Sequence, residues 1–261
     1  MIYNAVSVTS TGAALLVWLT DYEADDILKK TEDEMIKAVI FDMFETLITQ
    51  YNIPQYFSAQ MAEDAQIDTD RFVKAWIATE DRRTVGELTV DAALEMILRD
   101  NGRYSVERLK KMMDKRIASK EECFRHMHPE IEPMFDNLRQ RSLRVGLISN
   151  CFSEEAAVIR QSVLANRFDA MCLSFEMGMQ KPDRDIFSRC IASLNVEADE
   201  CLYVGDGGSN ELEAAADFGM EVMQAGWYLY ASGCLGERRK ERFRLAETPF
   251  DVIRYIDGCN E

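Results

Sequence analysis

Apolar runs that end on polar residues organise most of the chain. The run that begins at residue 38 is followed by Asp42, and later runs are followed by Ser149 and Asp206. Uninterrupted apolar runs of this length are typical of strands buried on both faces of a parallel sheet. Strands alternate with helices beyond residue 130, which predicts a doubly wound α/β fold. Strands are expected near 143–149, 171–175, 201–205 and 221–224, and helices near 153–165, 183–194, 209–218 and 249–258.

Residues 50–129 show helical periodicity and no strand pattern. Within 89–98, apolar residues recur at spacings of three and four, so they share one helical face. The segment Ser119–Glu122 has the pattern of a capping box, so a further helix is expected to start there. We therefore predict a helical domain over 50–129, inserted into a core formed by residues 35–49 and 130–261.

The first 34 residues do not continue either pattern. Their apolar run, residues 13–19, is too short to span a bilayer, and no Lys or Arg precedes it as in a secretory signal. An acidic stretch over 21–34 follows. We interpret residues 1–34 as an N-terminal extension upstream of the core, with an extra element packed on the sheet edge as the alternative.

Charge and cysteine usage narrow the partners of the protein. The net charge of −16 argues against nucleic acids and anionic membrane surfaces as partners. The seven cysteines include no Cys-x-x-Cys pair, and several lie inside apolar segments. This pattern is typical of reduced thiols and predicts a cytoplasmic protein. A small molecule is then the expected ligand, and the sequence leaves open whether the protein is a monomer or a homodimer.

Four polar segments follow strands or start helices in the predicted core. They contain Asp42, the pair Ser149–Asn150, Lys181 and Asp206. Each has an ordinary explanation when taken alone, namely a helix cap, a polar turn, or a solvated lysine. Ligands of open α/β sheets, however, bind beyond the carboxyl ends of the strands. The four segments together therefore indicate a ligand site at that edge of the sheet.

In this order, the four segments resemble the motifs of the haloacid dehalogenase superfamily over about residues 36–256. Most members of that family are magnesium-dependent phosphatases, with a Rossmann-like core and, in one large group, a helical cap. The resemblance implies that Asp42 is a nucleophile that forms an aspartyl-phosphate, assisted by Ser149 and Lys181. It also implies that phosphoryl oxygens are bound by Thr46, Ser149, Asn150 and Lys181.

The same resemblance implies a Mg²⁺ site. Its ligands would be the carboxylates of Asp42, Asp206 and Glu211 and the backbone carbonyl of Phe44. Oxygen ligands of this type are those that Mg²⁺ prefers in proteins. The glycines beside Asp206 would let the backbone pass close to the site.

One position departs from the family. The family pattern Asp-x-Asp-x-Thr becomes Asp42-Met43-Phe44-Glu45-Thr46 here, so Phe44 replaces the usual general acid. Such a proton donor is typically worth about 10²–10⁴-fold in rate. We interpret Glu45 as a solvated carboxylate that points toward the cap, with a role as a substitute proton donor as the alternative.

Three functions follow from these residues. The first is Mg²⁺-dependent hydrolysis of a small phosphorylated metabolite through Asp42. The second is metal-free haloacid dehalogenation, which Phe44 favours because those enzymes carry an aromatic residue there, and which Asp206 opposes. The third is a catalytically weakened phosphate- and metal-binding regulatory protein, which Phe44 and Glu45 together favour.

Overall fold

A computed structural model of the protein describes residues 5–8, 15–18, 35–232 and 235–259. Strands β1 (Ala5–Val8) and β2 (Leu15–Trp18) pair antiparallel in a sheet of their own. The remainder of the predicted N-terminal extension, including its acidic stretch, lies outside the described residues.

Six parallel strands form the main sheet, in the spatial order β5-β4-β3-β6-β7-β8. The chain therefore starts in the middle of this sheet and winds outward in both directions, which confirms the predicted α/β fold. The strands are β3 (Ala38–Phe41), β4 (Arg144–Ser149), β5 (Ala170–Leu173), β6 (Cys201–Gly205), β7 (Glu221–Ala225) and β8 (Arg244–Ala246).

Six helices lie between β3 and β4. Four of the first five share a hydrophobic cluster that includes Phe72, Leu94 and Met112, and these first five helices form the inserted helical cap. They are α1 (Ser58–Ala65), α2 (Thr69–Ile77), α3 (Glu80–Thr84), α4 (Val90–Asp100) and α5 (Val106–Arg125). The expected helix start at Ser119 is wrong, because Ser119 lies inside α5. Residues 106–118 contain no Gly or Pro, so nothing ends the helix before Ser119. The cap limits of 50–129 stay a prediction.

The remaining helices cover the main sheet. They are α6 (Ile131–Gln140), α7 (Ser153–Gln161), α8 (Ser174–Met177), α9 (Arg184–Leu194), α10 (Glu211–Phe218), α11 (Trp227–Ser232), α12 (Leu235–Arg238) and α13 (Phe250–Cys259). None of the described helices is both long and apolar enough to cross a membrane.

Strand β3 explains why both faces of the sheet need helices. Val39 and Phe41 join the cluster packed by α6, α7 and α13, whereas Ala38 and Ile40 join the cluster packed by α9 and α10. All four side chains are fully buried. Since successive side chains of a strand point to opposite faces, an uninterrupted apolar run is what such a strand requires.

A buried ion-pair network joins the cap to the core. Arg116 of α5 donates from Nε to Glu154 Oε1 of α7 at 2.8 Å, and Lys120 Nζ lies 2.8 Å from Glu155 Oε1. The Arg116 and Glu154 side chains are only 3% and 2% exposed. Nearby, the Val90 N–H of α4 donates to Ser153 Oγ at 3.0 Å. The cap is thus attached at the start of the helix that follows Ser149 and Asn150.

Arg116→Met should lower the free energy of unfolding by about 3–5 kcal/mol, because it leaves Glu154 charged, buried and unpaired. Urea denaturation measures this change. The matched control is Lys110→Met, which removes an exposed ion pair with Asp114 from the same helix and should have little effect. Equal small losses for both variants would contradict a role for Arg116 in holding the cap.

Candidate active site

Three neighbouring strands bring the predicted site residues to one edge of the sheet. Strand β3 lies between β4 and β6, and Phe41 is in register with Leu147 and Val204. Asp42 follows β3 directly, Ser149 ends β4, and Asp206 follows β6. Because parallel strands end at the same edge, residues far apart in sequence meet there.

Lys181 lies inside the site and not in solvent. Its side chain is 3% exposed, and its Nζ is 2.5 Å from Asp42 Oδ1. The same ammonium also pairs with Glu211 Oε2 and lies 3.4 Å from the Tyr203 hydroxyl. The Asn150 side chain fixes the lysine backbone, since Oδ1 accepts from Lys181 N at 2.8 Å and Nδ2 donates to Lys181 O at 2.9 Å. In this structure Asn150 therefore positions the lysine.

Three carboxylates meet around this lysine. Asp42, Asp206 and Glu211 are all buried, and each offers an oxygen within 4.8 Å of the others. Glu211 is held by the Tyr203 hydroxyl, which donates to Oε2 at 2.9 Å, and by the Gly207 N–H, which donates to Oε1 at 3.2 Å. A Cβ at Gly205 would lie 2.2 Å from Glu211 Oε1, so a side chain there would displace this carboxylate. The acidic cluster therefore depends on a glycine at the end of β6.

The acidic cluster carries more negative than positive charge, and burial shifts the pKa values of its members. Burial raises the pKa of Asp42, with Lys181 opposing it and Asp206 adding to it. Burial, reinforced by Asp42, raises the pKa of Glu211 to about 8. Burial alone would lower the pKa of Lys181, but Asp42 and Glu211 outweigh it and raise that pKa. A divalent cation fits such a cluster, because its ligands would be hard oxygens whose negative charges it neutralises.

Arg238 is a member of the site that the sequence did not reveal. Its Nη1 lies 2.6 Å from Asp206 Oδ2. The fully buried Gln224, at the end of β7, donates from Nε2 to the carbonyls of both Asp206 and Arg238 at 2.8 Å. Its Oε1 accepts from the Lys240 N–H at 2.9 Å. One amide side chain thus joins the acidic loop to the segment that carries the arginine.

The two hydroxyls of the predicted phosphate site are fully buried near Asp42 and Asn150. Thr46 Oγ1 lies 3.4 Å from Asp42 Oδ2, and the Thr46 carbonyl accepts from Trp227 Nε1 at 2.8 Å. Ser149 Oγ lies 3.5 Å from the Asn150 carbonyl. Neither hydroxyl has a short, strong acceptor among the described residues, so each can turn toward a bound oxyanion.

The interpretation of Glu45 as a solvated carboxylate is wrong. The residue is buried, and its Oε2 accepts from Thr49 Oγ1 at 2.6 Å while Oε1 accepts from the Gln50 N–H at 3.0 Å. Its φ of 59° turns the backbone so that the side chain folds back over the following turn. Burial raises the pKa of Glu45 despite these hydrogen bonds. The carboxylate stabilises the loop after Asp42.

A cleft of about 660 Å³ lies between this edge of the sheet and the cap. Phe44, Asn150, Lys181 and Arg238 line it from the core, and Glu80 and Thr84 line it from α3. Neither Glu45 nor another carboxylate of the loop after Asp42 is part of its lining. Position 44 therefore presents a phenyl ring to the cleft.

The thiol next to the site has no catalytic features. Cys151 is buried, and burial raises the pKa of its thiol, so the thiolate is disfavoured. Glu176 forms an ion pair with Arg160 on the surface. The two histidines of the chain, His126 and His128, do not form a metal site, since the acidic cluster is the only candidate metal group within the described residues.

A family model and several relatives match the chain. The model, described as haloacid dehalogenase-like hydrolase, matches residues 36–219. A glyceraldehyde 3-phosphate phosphatase from Methanopyrus kandleri is 23% identical over 208 residues, which are 73% of this chain and 84% of that protein. A phosphoserine phosphatase from Thermus thermophilus is 26% identical over 98 residues, 37% of this chain and 39% of that protein.

Solved structures share the fold at low sequence identity. A HAD phosphatase from Thermococcus onnurineus has a TM-score of 0.60 at 17% identity, covering 85% of this chain and 99% of that one. L-2-haloacid dehalogenase from Xanthobacter autotrophicus has a TM-score of 0.58 at 18% identity, covering 86% and 99%. A HAD family enzyme from Bacteroides thetaiotaomicron, in complex with magnesium and inorganic phosphate, has a TM-score of 0.55 at 17% identity, covering 73% and 94%.

Proposed function

The chain belongs to the haloacid dehalogenase-like hydrolase family, and from that membership we propose that it is a Mg²⁺-dependent phosphatase of a small phosphorylated metabolite. The observation that carries the proposal is the meeting of Asp42, Asp206 and Glu211 around Lys181. Lys181 and Arg238 provide two positive charges against three buried carboxylates, so the site is too acidic for a phosphate dianion unless a metal is bound as well.

Asp42 performs the chemistry in this proposal. Its carboxylate attacks phosphorus, an Asp42–phosphorus bond forms, and the bond from phosphorus to the substrate oxygen breaks. Water then hydrolyses the aspartyl-phosphate and regenerates the carboxylate. Lys181 neutralises both Asp42 and the transferring phosphoryl group, while Thr46 and Ser149 donate to its oxygens. Asn150 holds Lys181 in place through its two hydrogen bonds to the lysine backbone.

The residues of the acidic cluster fit Mg²⁺. Asp42, Asp206, Glu211 and the Phe44 carbonyl would hold the ion, with water completing its coordination. When bound, Mg²⁺ supplies the positive charge that lets a dianionic phosphate approach three carboxylates. Arg238 orients Asp206 through the ion pair between the two side chains.

The size of the cleft and the relatives support a small substrate. A volume of about 660 Å³ is in the range of small-molecule sites. Two curated relatives are named as phosphatases of glyceraldehyde 3-phosphate and of phosphoserine, both small metabolites. We extend the proposal to a cytoplasmic protein, monomeric or homodimeric, that acts on neither nucleic acids nor membranes.

Haloacid dehalogenation is the second candidate, and Phe44 is the observation that favours it. A halide leaves without a proton, so a phenyl ring at position 44 costs such an enzyme nothing. The acidic cluster opposes this candidate, because Asp206 and Glu211 have no task in metal-free chemistry. A regulatory protein that only binds phosphate and metal is the third candidate.

Millimolar Mg²⁺ should raise the melting temperature, because a ligand that binds only the folded state stabilises it. At a hundredfold excess over Kd the gain is about 2.7 kcal/mol, which corresponds to roughly 5–10 °C for a chain of this size. Asp206→Asn should abolish the shift. Differential scanning fluorimetry with a magnesium titration measures both.

The matched control is Asp81→Asn, which removes a carboxylate that lines the cleft outside the acidic cluster and should keep the shift. In parallel, para-nitrophenyl phosphate hydrolysis and chloride release from chloropropionate are assayed with and without Mg²⁺. A melting temperature independent of Mg²⁺, together with chloride release without metal, would refute the phosphatase proposal and favour haloacid dehalogenation. A melting temperature that rises with Mg²⁺, without turnover of any phosphate, would favour the third candidate, a regulatory protein that only binds phosphate and metal.

A further inference from the structure

A buried lysine of the cap lies against the ring that replaces the family's general acid. Lys120 of α5 has a side chain that is only 6% exposed, and its Nζ lies 5.4 Å from the centroid of the Phe44 ring. The ring of Phe57 lies at 5.8 Å on another side. Aromatic faces at these distances attract a cation, so the two rings help to hold the ammonium at this place.

One N–H group of the Lys120 ammonium has no acceptor among the described residues. The ammonium donates to Gln50 Oε1 and to Glu155 Oε1, and no third acceptor is found for it in this part of the chain. Because a lysine ammonium has three N–H groups, one of them remains available. Gln50, Glu155 and Phe44 all line the cleft, so the ammonium lies immediately behind the cleft wall at position 44.

We propose that Lys120 donates this hydrogen bond to a water of the cleft beside the oxygen that leaves phosphorus, and so takes over part of the task of the acid missing at position 44. The inference rests on the proposed phosphatase function. As the Asp42–phosphorus bond forms and the phosphorus–oxygen bond breaks, the departing oxygen keeps the electron pair. The positive charge of Lys120 stabilises that developing negative charge, and water of the cleft supplies the proton that completes the alcohol. The hydroxide that remains is consumed when the aspartyl-phosphate is hydrolysed.

A role limited to attaching the cap explains Lys120 less well. Glu155 already accepts from the Phe152 N–H at 2.8 Å and has Arg116 at 3.6 Å. Arg116 and Glu154 form a complete buried pair beside it. Lys120 supplies the charge that balances Glu155, so two buried cations face the two carboxylates of α7. That pairing does not require the Phe44 ring, and a role limited to attachment leaves the contact between the ammonium and this ring unexplained.

The test compares leaving groups, because attachment of the cap and stabilisation of the departing oxygen affect them differently. Kinetics are measured with Mg²⁺ on para-nitrophenyl phosphate, whose leaving group is a good one, and on glycerol phosphate, whose leaving group is a poor alkoxide. Lys120→Met removes the charge and keeps the length of the side chain. We expect it to reduce kcat on glycerol phosphate by about 10²-fold, the usual loss when a donor to developing charge is removed, and to change the aryl phosphate rate by less than about tenfold.

Glu154→Gln is the matched control, since it weakens the buried link between cap and core at Arg116 without touching Lys120 or Phe44. It should lower the melting temperature and leave the ratio of the two rates unchanged. If Lys120→Met does not fold, Lys120→Gln replaces it in the same comparison, because glutamine keeps a donor for Glu155 but has no charge.

Equal losses on both substrates in the lysine variant would overturn the inference and leave Lys120 as an attachment residue. A ratio that moves as far in Glu154→Gln as in the lysine variant would overturn it too. Wild-type protein that turns over neither phosphate would refute the phosphatase proposal itself, whereas an active wild type with an unaltered ratio in Lys120→Met refutes only the role of Lys120.

Discussion

Asp42→Asn should abolish phosphate turnover, with kcat falling on the order of 10⁶-fold, as when the nucleophile of a covalent mechanism is removed elsewhere. The amide cannot form the acyl-phosphate bond, and it also removes one of the three carboxylates of the acidic cluster. Lys181 retains its pairing with Glu211, so the buried ammonium keeps a partner and the fold should persist.

Two measurements distinguish a lost nucleophile from a disturbed site. Acid-quenched wild-type protein should carry a phosphoryl group on the peptide that contains Asp42, detectable by mass spectrometry, and Asp42→Asn should carry none. The control is Asp81→Asn, a similar change elsewhere in the cleft, which should retain most activity. If Asp42→Asn keeps even a hundredth of the wild-type rate, a group other than Asp42 attacks phosphorus.

The strands that carry the site were predictable because their signal is local. Strand β3 is buried on both faces, and a run without polar residues is sufficient to identify it. Strand β8 was not expected, since it has three residues and begins with the exposed Arg244. The predicted helix from 153 extends to Gln161 and not to 165, because Ser162 takes an extended backbone conformation. Short edge elements and helix ends depend on packing that the local sequence does not encode.

The site residues also divide into those that the sequence predicts and those that it does not. Asp42, Ser149 and Asp206 could be placed because each follows a recognisable strand, and parallel strands end together. Arg238 and Lys120 could not, since each reaches the site through contacts between distant segments. Lys120 meets Gln50 across 70 residues and Arg238 meets Asp206 across 32, and neither stands in a motif.

Glu45 shows a different limit. The sequence presents an ionisable residue in a loop, and such residues are usually solvated. What changes the outcome is a positive φ at Glu45, which directs the side chain back to the Thr49 hydroxyl and the Gln50 N–H. Backbone turns of this kind depend on how the whole loop packs, here beneath Trp227, which donates to the Thr46 carbonyl. Residue type alone therefore did not indicate the burial.

Phe44→Asp should raise activity on alkyl phosphates relative to aryl phosphates, within the range of about 10²–10⁴-fold that a general acid usually supplies. Wild-type protein has a phenyl ring and no carboxyl group at position 44, so its rate should depend steeply on the acidity of the leaving group. The new carboxyl would stand where the family has its acid. Lys120, whose Nζ lies 5.4 Å from the present ring, can pair with it.

Two costs accompany the gain, and the design of the experiment removes both. A further carboxylate near Asp42 and Asp206 adds like-charge repulsion, which bound Mg²⁺ offsets. Loss of the half-buried ring leaves space that can loosen the loop. The control Phe44→Asn has the same loss of volume and no acid, so it should lack the gain. The ratio of rates on glycerol phosphate and para-nitrophenyl phosphate cancels any general loss of folded protein. If wild-type protein already hydrolyses both at similar rates, a proton donor other than residue 44 is at work. Water beside Lys120 is then the group to examine, because that ammonium lies 5.4 Å from the centroid of the ring.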